Sequence, residues 1–226
     1  MSVANILFLQ DRILILTDTL TYQGGSPHGL CERKAVVAST GRFAMVTRGL
    51  CDVGDAAIDW IDERAGDLIE AEAAAAEFFD IAADVKASTN PTVNLELTLT
   101  GWSPRHNDLR AVQLRIFKNR SGFDVQLLDR GLHLHPAPGS AKVPPPPRNH
   151  EAAMVKLALA QHAVMEKREF RDMCIGGVMH LTEVNRDGVA QRIVGLYPGY
   201  DGHAAQFGDP NADAVAAFRL SERAAA

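Results

Sequence analysis

Short apolar runs punctuated by polar pairs open the chain. Ile6 to Leu9 and Ile13 to Thr19 flank the pair Asp11-Arg12, which predicts a hairpin. A second hairpin is predicted from Lys34 to Ser39 and Arg42 to Thr47 around Thr40-Gly41. Between the two lies Gln23 to Gly29, whose glycines and proline read as an irregular surface loop. The period then changes. Val53, Ala57, Trp60 and Ile61 recur at helical spacing opposite Asp55, Asp59 and Asp62, giving a helix that ends near Gly66. The alanine-rich stretch Glu70 to Lys86, anchored by Phe78, Phe79 and Ile81, predicts a second helix stopped by Ser88-Thr89-Asn90-Pro91.

Strands resume with Val93 to Thr100, which alternates cleanly and so has one buried and one polar face. Val112 to Phe117 and Phe123 to Leu128 complete a meander, with Asn119 to Gly122 as a turn. Six of the twelve residues from Pro136 to Pro147 are proline, which excludes regular helix or sheet. Asn149 can cap a helix from His150 to about Phe170, with Ala152, Val155, Leu159 and Ala163 along one face. Val178 to Val184 and Val189 to Val194 predict a last hairpin around Asn185 to Gly188, and Asp213 to Ala225 a short terminal helix. Strands grouped in blocks argue against a doubly wound parallel sheet and fit antiparallel sheets covered by helices. The expected class is α+β, and the expected architecture a four-layer αββα sandwich in one domain over residues 1–226, with a proline-rich loop at 136–148 and a tail at 197–226.

Composition narrows the function. With 46% hydrophobic residues in 226, one large core can be filled, and a net charge of −5 without a basic block argues against nucleic-acid or anionic-membrane partners. Cys31, Cys51 and Cys174 lie far apart with no CxxC pairing, which is neither a disulfide framework nor a zinc pattern and fits a reducing, cytoplasmic setting. No apolar stretch approaches the roughly 20 residues that span a bilayer, and no basic region precedes the first apolar run, so a removable signal is not expected.

Several residues stand at telling distances from the start. Asp18 follows Ser2 by 16 positions and Lys34 by 32; Gly49 lies in Val46-Thr47-Arg48-Gly49-Leu50; Asp172 precedes Cys174-Ile175-Gly176-Gly177. This pattern resembles the N-terminal-nucleophile hydrolases of the proteasome β-subunit type, including the peptidase subunit of the bacterial ATP-dependent two-component protease. The resemblance covers roughly Ser2 to Val194 and is looser in the second half. It implies that Ser2 becomes the nucleophile once Met1 is removed, with Asp18 and Lys34 as the active-site pair, Gly49 as an oxyanion donor through its backbone N–H, and Asp172 as a supporting acid. Ile175 stands where the family keeps a serine, so one hydrogen bond near the terminus is lost. The family's Gly-Ser-Gly loop has only Gly139-Ser140 as a counterpart.

The implied chemistry needs no histidine, metal or cofactor. A serine hydroxyl requires a base, which an N-terminal α-amine of pKa about 8 can supply. Lys34, held by Asp18, favours the deprotonated amine and hydroxyl through its charge. A backbone donor such as Gly49 N–H contributes on the order of 3 kcal/mol to an oxyanion. Expected partners are a peptide or amide substrate and further copies of the chain in a ring-like or stacked homo-oligomer. Two other functions fit: a non-catalytic subunit of the same fold with an assembly or gating role, and a small-molecule amidase. His133 and His135 share a strand face and could ligate a metal, although no third ligand accompanies them. Trp60, Phe78 and Phe79 read as core or subunit-interface packing.

Overall fold

A computed structural model describes residues 3–23, 26–49, 51–89, 95–117, 121–134, 149–167 and 175–225. In chain order these form β1 (Ala4–Phe8), β2 (Arg12–Thr17), β3 (Leu20–Gln23), β4 (Ser26–Leu30), β5 (Ala35–Val37), β6 (Phe43–Gly49), α1 (Cys51–Asp62), α2 (Leu68–Thr89), β7 (Leu95–Ser103), β8 (Asp108–Ile116), β9 (Asp124–Leu127), β10 (Gly131–His133), α3 (His150–Lys167), β11 (Val178–Asn185), β12 (Gly188–Leu196), α4 (Tyr200–Phe207) and α5 (Ala212–Ala225). The class is α+β. One five-stranded sheet runs β10-β1-β2-β11-β12, another β5-β6-β7-β8-β9, and β3-β4 pair alone. Every pairing among them is antiparallel.

Side-chain alternation sorts the core into clusters. Ala4, Ile6 and Phe8 of β1 and Ile13 and Ile15 of β2 pack with Ala35, Ala44, Val46, Leu109 and Ala111 of the other sheet. The intervening residues, Val3, Leu7, Leu14 and Leu16, pack instead with Met154 and Ala158 of α3. In the second sheet, Phe43, Met45, Leu97, Leu99 and Leu114 point away from this shared cluster and pack with Ile58 and Ile61 of α1 and Leu68, Ala75 and Phe79 of α2. Strands covered on both faces read as continuous apolar runs, which is why all five residues of β1 are buried. The polar one, Asn5, is satisfied by a reciprocal amide pair with Gln161 of α3, at 2.6 Å and 3.1 Å.

Four expectations need correction. The stretch predicted as an irregular loop, Gln23 to Gly29, carries the end of β3 and most of β4, with Tyr22 opposite Pro27 and Gln23 opposite Ser26. Pro27 stands opposite Tyr22, next to a register irregularity between Thr21 and Tyr22 and on an edge strand, the two settings in which a sheet tolerates proline. The buried face of α3 is Met154, Ala158 and Gln161 rather than Ala152, Val155, Leu159 and Ala163; Leu159 and Ala163 are exposed. The second helix continues through Thr89 instead of stopping at Lys86. The tail contributes α4, an unpredicted helix that begins after Gly199 (φ +81°) and ends at Gly208 (φ +78°), in addition to the terminal helix. Asn149 does cap α3, its Oδ1 accepting Ala152 N–H at 3.1 Å. Trp60 and Phe78 pack against the α1–α2 cluster beside fully buried Phe79. No helix among the described residues is long and apolar enough to cross a membrane.

Candidate active site

Asp18 follows the end of β2 and has no solvent exposure, so its charge must be met by protein groups. Three donors converge on it. Lys34 Nζ lies 2.8 Å from Oδ1, Val3 N–H donates to the same oxygen at 2.9 Å, and Gly176 N–H donates to Oδ2 at 3.3 Å. Lys34 stands just before β5, its side chain 11% exposed, and gives a second bond to the Leu20 carbonyl at 2.6 Å. One cation is thereby fixed between the end of β2, the start of β3 and the approach to β5.

The neighbouring backbone is equally constrained. Thr19 N–H and Leu20 N–H both donate to Gly176 O, at 3.2 Å and 3.1 Å, and Thr19 Oγ1 accepts Val178 N–H at 2.9 Å. Gly177 permits this approach: its φ is +82°, and a Cβ there would stand 2.3 Å from Thr19 Oγ1. Cys31 closes the loop after β4, donating N–H to Thr19 O at 2.9 Å and holding Sγ 3.2 Å from the same oxygen. Burial pushes the Cys31 thiol up to about 11, against an opposing pull from Lys34, so it is a neutral thiol at physiological pH.

The structure therefore unites two of the predicted residues, Asp18 and Lys34. Gly49 closes β6 with φ of +128°, a conformation suited to glycine. Ala35 pairs with Val46, so Lys34 and Gly49 lie at the same end of the β5–β6 pair, without a hydrogen bond joining Gly49 to Asp18 or Lys34 among those described. Ser2, Asp172, Gly139-Ser140 and His135 fall outside the described residues. Ile175 is 5% exposed and sits in the apolar cluster of Val3 and α3. His133 Nε2 donates to Asp129 O at 2.7 Å, and no group of three metal-ligating side chains occurs among the described residues.

Sequence reasoning gave no role to Val3, and the roles of Leu20 and Gly176 run through backbone atoms, which leave no mark in residue type. It also missed two buried side chains nearby. Tyr197 is 2% exposed; burial, reinforced by the Asp18 charge, drives its hydroxyl well above the ordinary phenol range. His180, opposite Thr17 in the β11–β2 pair, is held below the usual histidine range by burial, which outweighs an opposing influence of the Asn211 side chain. His180 stands within the apolar run Val178-Met179-His180-Leu181 and Tyr197 follows Ile193-Val194-Gly195-Leu196, so both read as strand packing until the register shows what they face. The chain matches no family model and no curated protein.

Proposed function

We propose that the chain is an N-terminal-nucleophile hydrolase of the proteasome β-subunit type, cleaving peptide or amide bonds with Ser2 after loss of Met1, within a four-layer αββα sandwich. The observation that carries this reading is the fully buried Asp18 holding Lys34 at 2.8 Å while accepting the amide of Val3, the residue next to the proposed nucleophile. The architecture is supported by the alternation that sends one face of each sheet to a shared cluster and the other to helices.

In this reading the Ser2 hydroxyl attacks the scissile carbonyl carbon and its proton passes to the α-amine of Ser2. The C–N bond breaks as the amine group leaves with that proton, and water hydrolyses the acyl-Ser2 ester. Lys34 supplies a fixed positive charge that favours the neutral amine, and Asp18 holds Lys34 in place. Gly49 N–H serves the oxyanion and Asp172 supports the terminus. The protein acts in the cytoplasm as a homo-oligomer, ring-like or stacked. The test is intact mass before and after a β-lactone probe: loss of the mass of one methionine, then a single adduct mapped to Ser2. A retained Met1, or a processed chain that stays unlabelled, defeats the proposal.

A second reading, a non-catalytic subunit of the same fold, is favoured by one observation. Ile175 is absorbed into the apolar core beside Val3, so this position gives the terminus no polar support.

A further inference from the structure

Tyr197 follows β12, and its N–H donates to Gly177 O at 2.9 Å, which pins it beside the glycine pair. Its ring packs in the cluster of Val3, Leu16, Met154 and Ile175 and lies 5.5 Å from the ring of His162. Phenylalanine would satisfy all of these contacts. The hydroxyl is what phenylalanine would lack, and it is buried with no hydrogen-bond partner among the described residues. Such an orphan is costly enough that a fold retains it only rarely without a use.

The groups around it indicate that use. Val3, a member of the Tyr197 cluster, and Gly176, which follows the cluster residue Ile175, are the two residues whose amides hold Asp18. A carboxylate has about four acceptor positions. Asp18 Oδ1 takes two donors at 2.8 Å and 2.9 Å, whereas Oδ2 takes only the long Gly176 contact at 3.3 Å. Among the described residues Oδ2 thus has unused capacity, and Val3, which packs in the Tyr197 cluster and donates to the same carboxylate, places Asp18 beside that cluster. Hydrogen bonds of a catalytic site are often long or poorly aligned at rest and tighten in its working form, here the processed chain.

We propose that Tyr197 is a positioning residue of the Asp18 site, its hydroxyl donating to Asp18 Oδ2 and fixing the carboxylate that orients Lys34. This rests on the reading of the site as catalytic. Two measurements on Tyr197→Phe test it in the full, processed chain. With a β-lactone probe, kinact falls about tenfold, the effect of one lost hydrogen bond, while KI stays within about twofold. In amide NMR spectra the Val3 and Gly176 resonances shift, because the acceptor they share has lost a donor while the aromatic ring remains. An unchanged kinact with unmoved Val3 and Gly176 resonances overturns the proposal. A wild type that resists the probe defeats the hydrolase reading alone; the two amide resonances then decide Tyr197, shifted in its favour or unmoved against it.

Discussion

Lys34→Met isolates the Asp18–Lys34 pair most sharply. Methionine keeps an unbranched apolar stem and removes the charge and both Nζ bonds, to Asp18 and to the Leu20 carbonyl. Asp18, with no exposure, is then a buried carboxylate held only by the amides of Val3 and Gly176. Removing one partner of a fully buried pair costs about 3–5 kcal/mol. Lys34 is 11% exposed, so water can partly replace it, which places the cost near the lower end, about 3 kcal/mol. In a chain of this size that lowers Tm by about 6–12 °C. The exposed pair Arg192–Glu151, at 46% and 41% exposure, is the control; Arg192→Ala costs about 1 kcal/mol at most. Adding Asp18→Asn to Lys34→Met removes the stranded charge and recovers about half of the loss, a coupling that a double-mutant cycle in urea reads directly. Equal losses from Lys34→Met and Arg192→Ala, or additive losses in the double variant, would refute the reasoning.

Three further outcomes are expected. Gly177→Ala forces a Cβ against Thr19 Oγ1 at positive φ and lowers stability by about 2–4 kcal/mol, read as a drop in urea midpoint with unchanged slope. His180 has a folded pKa below the usual 6.5, so the unfolded chain binds its proton more readily. Its contribution to stability is intact above about pH 6.5 and is lost as pH falls toward the lower folded value; His180→Leu flattens that part of the stability–pH curve. Cys31, raised from 9.0 to about 11, has about 100-fold less thiolate than an ordinary cysteine, so peptide mapping after brief iodoacetamide treatment finds exposed Cys51 alkylated and Cys31 spared.

How much of this was legible follows from what each residue shows in one dimension. Clean alternation in Val93 to Thr100 and capping at Asn149 are local signals, and they led to the right elements, although the polar face of β7 is buried at Thr98 and Thr100 instead of open to water. The β3–β4 ribbon was hidden because Gly24-Gly25-Ser26-Pro27 reads as breakers. Helix α4 was hidden because Tyr197 to Pro210 carries three glycines and two prolines around a short helical core. The face of α3 was misread because Gln161 and His162 are buried polar residues, Gln161 paired with Asn5 from a distant strand. Asp18 and Lys34 were found through spacing and resemblance, whereas the amides that hold Asp18 and the Tyr197 hydroxyl become visible only when β1, β2 and the glycine pair are brought together.

The most direct measurement treats the processed chain with a peptide-epoxyketone, which forms one bond to a hydroxyl and a second to a free α-amine on the same residue. A cyclic adduct on Ser2 that is lost in Ser2→Ala and strongly reduced in Lys34→Met is the predicted result. A chain that begins at Ser2, folds with Lys34 on Asp18, and yields no adduct contradicts an N-terminal nucleophile.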